Sequence, residues 1–276
     1  MREVDHALAK VFAKGSSSPS ADSEVKSRRA PRSVPPAPHF SHFENSSPAS
    51  TIFETAPTHI QWPSLVVQLD QQNRSQYARL ADSLIASRNP RSLLVTSRQR
   101  AEGRTTLILA LAREFSRRPG RTLIVDADLS NPTIARLFAI RLDIGWDDVV
   151  RGVHSLDEAI LEAPLDRVSL LMLRGPVASP RALLRNPRWT ALFQQLRETY
   201  DRILIDSGPV YATSVILMPR QQVDAVVIVR NRMLTDLRRL PRVKSFIESK
   251  GYPVIGLAET FAASDSVHDR GVEGDV

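Results

Sequence analysis

Short apolar runs of five or six residues recur along the chain from residue 92 onward, and the apolar positions between them follow helical spacing. The runs are SLLVT (92–96), TLIVD (122–126), VSLLML (168–173), RILID (202–206), AVVIV (225–229) and VIGLA (254–258). Their hydrophobicity is nearly continuous rather than alternating. Strands of that kind bury both faces, as in a parallel sheet covered by helices on each side. Helical patterns fall at 75–88, 105–116, 132–138, 156–162, 187–199 and 235–250. The expected fold is an α/β three-layer sandwich, α/β/α, with a mostly parallel sheet.

This packed region is expected to span 59–262. Ahead of it, Val4, Leu8, Val11 and Phe12 line one helical face, which predicts a short amphipathic docking helix over 1–14. Residues 15–58 are rich in serine and proline and lack periodicity. They bury too little apolar surface to offset the ordering of the chain, so they are expected to form a disordered tether. The polar, acidic segment 263–276 is expected to be a loose tail.

Composition narrows the chemistry. There are no cysteines, so disulfides, thiolate metal sites and cysteine nucleophiles are excluded. The formal charge of +7 is carried mostly by arginine. Its basic residues are scattered, and no recognition-helix, zinc-finger or aromatic RNA-binding pattern accompanies them, so no dedicated nucleic-acid role is expected. No apolar run approaches the roughly 20 residues of a membrane span, and the start lacks a signal peptide's apolar core. The expected location is cytoplasmic, reaching the inner membrane only through a partner. His154 lies outside any metal-ligand spacing, and Trp146 and Trp189 read as packing residues.

The segment SRQRAEGRTT (97–106) joins the first strand to a helix, where a phosphate-binding loop belongs. It matches G-x-x-x-x-G-K-[ST] in part. Gly103, Thr105 and Thr106 are in place, the first glycine position is Ser97 or Arg98, and Arg104 replaces the lysine. Unpaired N–H groups at a helix start attract phosphate whatever the side chains are. Arginine keeps the cation but is longer, planar and forked, so the exchange alters the site. Asp126, Asp128 and Asp206 end the second and fourth strands. In a doubly wound sheet, strand tips face the ligand crevice. Each aspartate alone reads equally as a cap or turn residue; three after such a loop suit Mg²⁺ beside a phosphate.

Taken together, these residues resemble the bacterial tyrosine kinase family, cytoplasmic ATPase partners of polysaccharide co-polymerases in capsule and exopolysaccharide export. The resemblance covers about residues 70–262 and includes DADLSNPTIARLF (126–138), GWDDVVRGVHSLDEAI (145–160) and GPVASPRALLRNPRWTALFQQLRETYDRILIDSGPV (175–210). It implies a P-loop NTPase fold of the kinase-like and MinD-like kind, with ATP and Mg²⁺ as cofactors. By resemblance, Gly103, Arg104, Thr105 and Thr106 would hold the cofactor's phosphates. Thr105, Asp126 and Asp206 would attend the metal, and Asp128 with Asp126 would be catalytic.

Departures from the family pattern point toward weakened chemistry. Besides Arg104, the glutamate–arginine–arginine helix that joins subunits into a ring is matched by Ser75, Ala78 and Ala81, so a homo-oligomer would lack those charges. Thr260 stands at the adenine-reading asparagine, and the tail has no tyrosine; Tyr77, Tyr200, Tyr211 and Tyr252 are the only ones. The expected role is regulation of polysaccharide synthesis or export through a membrane co-polymerase, with weak or no phosphotransfer. The alternatives are an active ATP-dependent protein-tyrosine kinase and a chromosome-partitioning-type positioning ATPase. For the latter, Gln99 stands where the extra loop lysine belongs.

Overall fold

The computed structural model describes residues 59–87, 89–211 and 218–261. The helix expected over 1–14, the tether over 15–58 and the tail over 263–276 lie outside the described residues. Seven strands form one sheet: β1 (Ser92–Ser97), β2 (Thr122–Ala127), β3 (Ile160–Ala163), β4 (Val168–Leu171), β5 (Arg202–Ser207), β6 (Ala225–Asn231) and β7 (Val254–Thr260). Their order is β3-β4-β2-β5-β1-β6-β7. All neighbours are parallel except β3, which runs antiparallel to β4.

The helices are α1 (Ser64–Ser87), α2 (Arg104–Ser116), α3 (Ile134–Leu137), α4 (Trp146–Arg151), α5 (Leu156–Ala159), α6 (Pro180–Arg185), α7 (Pro187–Thr199) and α8 (Leu240–Ser249). Successive strand residues point to opposite faces, and this divides the core in two. Leu94, Leu123, Val125, Ile203 and Ile205 pack with Trp146, Trp189, Phe193 and Val243 from α4, α7 and α8. Leu93, Val95, Ile124, Leu204 and Val227 pack with Leu80, Ile108, Leu111 and Ile134 from α1, α2 and α3. The expected three-layer sandwich is the observed one. No helix among the described residues is long and apolar enough to cross a membrane.

Several element boundaries differ from the sequence reading, each for a local reason. The helix expected over 156–162 stops at Ala159, and Ile160–Ala163 becomes the edge strand β3. Ser155 and Glu158 form a capping box that starts this helix, but four residues are too few to settle a periodicity. The helix expected over 75–88 starts eleven residues earlier, at Ser64, and runs through a kink at Asn73, whose φ of −127° hides the continuity in the pattern. The helix expected over 132–138 contracts to α3, and that over 235–250 opens with a 3₁₀ turn at Leu237–Arg239, capped by the Asp236 side chain. By contrast α7 spans the predicted residues, because Asn186 accepts from the Arg188 N–H and Pro187 occupies the first turn.

One packing feature positions the site. Trp146 and Trp189 are fully buried with ring centroids 4.6 Å apart. The Trp146 indole N–H donates to the Asp126 carbonyl oxygen at 2.9 Å. The tip of β2 is thereby tied to the helical layer beneath it.

Candidate functional site: a phosphate loop facing strand-tip carboxylates

Strands β2, β5 and β1 are adjacent in the sheet, so their carboxyl ends meet at one edge. Asp126 lies directly opposite Asp206 in register, and Asp206 is paired with Val95, two residues before the loop begins at Ser97. The structure therefore brings Gly103, Asp126, Asp128 and Asp206 to one place. A cleft of about 610 Å³ opens there, lined among others by Arg100, Gly103, Thr105, Thr106, Asp128 and Thr260. That is a volume suited to a nucleotide-sized ligand.

Gly103 caps α2 with φ +91°, and a Cβ there would sit 2.9 Å from the Thr260 Cγ2. Only glycine meets both demands. Beyond it, the first N–H groups of α2 (Arg104, Thr105 and Thr106) have no acceptor within the helix and face the cleft end of the dipole. Thr260, the adenine position by resemblance, spends its hydroxyl on the Glu102 carbonyl at 2.9 Å and so braces the loop.

Arg104 is buried, and its guanidinium folds back along the loop. It donates to the Ser97 hydroxyl and, at 3.0 Å, to the Gln99 carbonyl, and pairs with Asp128 at 3.4 Å. Its Nε–H has no partner. Burial lowers its pKa, opposed by the charges of Asp206 and Asp128. A lysine reaches phosphate as a mobile point charge; this arginine is held in several places.

The three aspartates sit in different environments. Asp126 is fully buried and accepts from the N–H groups of Thr133 (2.9 Å), Ile134 (3.0 Å) and Asp128 (3.3 Å), so both its oxygens serve backbone amides. Burial lifts its pKa to about 8, with the Asp206 charge adding and those amides opposing. Asp128 lines the cleft; one oxygen accepts from Ser130 and Asn131, and the other faces Arg100 at 3.2 Å and Arg104. Asp206 accepts the Thr105 hydroxyl hydrogen on Oδ2, while Oδ1 is buried without a partner. Burial lifts Asp206 to about 6, with the Thr105 bond and Arg104 opposing and Asp128 adding.

Among the described residues no group of three or more acidic or histidine side chains is arranged to hold a metal alone. The unpartnered Asp206 oxygen beside the Thr105 hydroxyl does fit a Mg²⁺ that takes its other ligands from phosphate and water. Asp126 fits that role less well than the sequence reading expected, because its oxygens are occupied.

Sequence reasoning missed two contributions. Glu102 is wholly buried within the loop. Its carboxylate accepts from the N–H groups of Arg98 (2.9 Å) and Gln99 (3.2 Å) and from the Thr235 hydroxyl, joining the phosphate loop to the segment after β6. An acidic residue inside a basic loop was the signal. Leu65, Leu69 and Phe261 form an apolar wall of the cleft; nothing in their local pattern marks them, since tertiary folding brings them there.

No family model matches the chain. The tyrosine-protein kinase CpsD of Streptococcus pneumoniae is 25% identical over 164 residues, covering 59% of this chain and 72% of the relative. The tyrosine-protein kinase YwqD of Bacillus subtilis is 23% identical over 188 residues, 67% of this chain and 79% of the relative. Among solved structures, the VpsO kinase domain superposes with a TM-score of 0.60 at 28% identity, covering 68% of this chain and 96% of that one. The chain is a divergent relative of the bacterial tyrosine kinases. The chimerical protein CapA2B2 gives a TM-score of 0.65 at 21% identity, over 74% of this chain and 92% of that one, which speaks to the shared fold.

In this kinase relative the departures take physical form. Ala81 is fully buried against the core and Ser75 is exposed, and neither carries a charge. Tyr77, Tyr200 and Tyr252 are buried; Tyr211 is 57% exposed and packs against Phe246. It is the one tyrosine that a second molecule could reach without unfolding.

Proposed function

We propose that the chain binds ATP with Mg²⁺ in the cleft at 97–106 and regulates polysaccharide synthesis or export through a membrane co-polymerase, with weak or no phosphotransfer. The observation that carries the reading is the convergence of the α2 start, Asp128 and the Thr105–Asp206 pair on one nucleotide-sized cleft. The amides of Gly103, Arg104, Thr105 and Thr106 would hold the phosphates, and Thr105 with Asp206 would hold the metal, which supplies charge neutralisation between phosphate oxygens.

Two features support weak transfer. A proton acceptor must be free, yet both oxygens of Asp126 accept backbone N–H groups and Asp128 is engaged by Arg100 and Arg104. The loop cation is also anchored to Ser97 and Gln99 rather than poised over a phosphate. The positioning-ATPase alternative draws little support, since the Gln99 amide is bonded to the Leu234 carbonyl at 3.1 Å and brings no charge to a neighbouring subunit.

The test is transfer of labelled γ-phosphate from ATP to the chain itself and to a tyrosine polymer, compared with Arg104→Lys. The expected result is saturable ATP binding with transfer near background, raised at least ten-fold by the lysine. Robust transfer by the unmodified chain would replace this reading with that of an active kinase.

A further inference from the structure

The segment that follows β6 is unusual in being rigidly built and yet apolar at its surface. The Met233 N–H donates to the Asn231 side chain at 2.9 Å, and those of Leu234 and Thr235 donate to the Asn231 carbonyl at 3.1 and 3.0 Å. Arg230 donates to the Thr235 carbonyl, Gln99 to that of Leu234, and the Thr235 hydroxyl to Glu102. The backbone is therefore fixed from both sides. Despite this, Met233 is 81%, Leu234 48% and Leu237 53% exposed. Single exposed apolar residues need no explanation, but three within five residues on a fixed loop do.

The surrounding charge has one sign. Arg232, Arg238 and Arg239 are exposed, and none forms an ion pair with a described residue. The single acid of the stretch, Asp236, is turned to capping the Arg238 N–H.

We propose that the loop 232–239 seats this protein directly on an anionic phospholipid bilayer, with Met233 and Leu234 entering the interface and Arg232, Arg238 and Arg239 meeting the headgroup phosphates. An exposed apolar tip flanked in sequence by unpaired arginines matches a surface that is apolar within and anionic at its rim. The loop stands next to the phosphate loop through Gln99 and Glu102, so the membrane would lie on the side of the sheet edge that carries the cleft. This contact is independent of whether the cleft transfers phosphate.

The experiment is co-sedimentation of the full chain with vesicles of phosphatidylglycerol mixed with phosphatidylcholine, and with phosphatidylcholine alone. Binding is expected only to the anionic vesicles and should weaken with salt. Arg238→Gln with Arg239→Gln should reduce it by about 25-fold, about five-fold for each arginine removed. Met233→Ser with Leu234→Ser should reduce it by ten-fold or more, since the apolar insertion is lost. Both pairs are exposed, so melting temperatures should hold. Equal binding to neutral vesicles, no binding to either, or indifference to both double variants would each overturn the proposal. Displacement from vesicles by duplex DNA at equal phosphate concentration would also overturn it, by assigning the patch to nucleic acid.

Discussion

Replacing Glu102 by alanine should uncouple the phosphate loop from the rest of the sheet edge. Its carboxylate takes two loop amides, Arg98 and Gln99, and the Thr235 hydroxyl, all within a side chain that has no exposure. Removing it strands two N–H donors, each costing about 1–3 kcal/mol when buried. The cleft adjoins the residue, so water can reach part of the gap, and the net loss should be about 2–4 kcal/mol. For a domain of this size each kcal/mol shifts Tm by about 2–4 °C, so unfolding should come about 4–16 °C earlier. Glu102→Gln keeps one acceptor for the amides and should cost only about 1 kcal/mol, and Thr235→Val, which loses a single bond, about the same. Urea denaturation of the three variants, read by tryptophan fluorescence, measures these differences. A change below about 0.5 kcal/mol for Glu102→Ala would refute the idea that this carboxylate holds the loop.

Three further outcomes follow from local geometry. Gly103→Ala should destabilise the chain by about 2–3 kcal/mol, from the left-handed backbone and the approach to Thr260, and should weaken nucleotide binding more than stability alone explains. Asp70 is buried, which raises its pKa, but its bonds to Arg117 and Arg113 win and hold it below the usual carboxylate value. Its contribution is therefore present above about pH 4–5 and lost as pH falls through the lowered folded value, so the gap between wild type and Asp70→Asn should be constant near neutrality and close in acid. Trp146→Phe should cost about 1–3 kcal/mol, because the Asp126 carbonyl loses its indole donor in a dry layer; equilibrium unfolding in urea checks it.

How much of this was legible beforehand depended on the range of the interactions. Six strands could be read because burial on both faces leaves continuous apolar runs, and α7 because Asn186 and Pro187 mark its start within the local sequence. The convergence of Asp126 and Asp206 followed from parallel strands ending on one side. The short antiparallel β3 was not legible: Ile160–Ala163 continues an apparent helix, and only pairing with β4 makes it a strand. The same holds for Leu65, Leu69 and Phe261 at the cleft and for the Glu102–Thr235 bond, which spans 133 residues. Arg104 could be flagged as a departure, but its retraction onto Ser97 and Gln99 depended on how the loop closes.

Nucleotide binding at the cleft is measured most directly by isothermal titration of ATP with Mg²⁺ into the full chain. A saturable one-to-one isotherm is predicted, with Gly103→Ala weakening it at least ten-fold, and a stabilisation of about 2.7 kcal/mol in a parallel melt when ATP reaches 100 times its dissociation constant. Absence of heat and of any melting shift at millimolar ATP, in a folded chain, would contradict it.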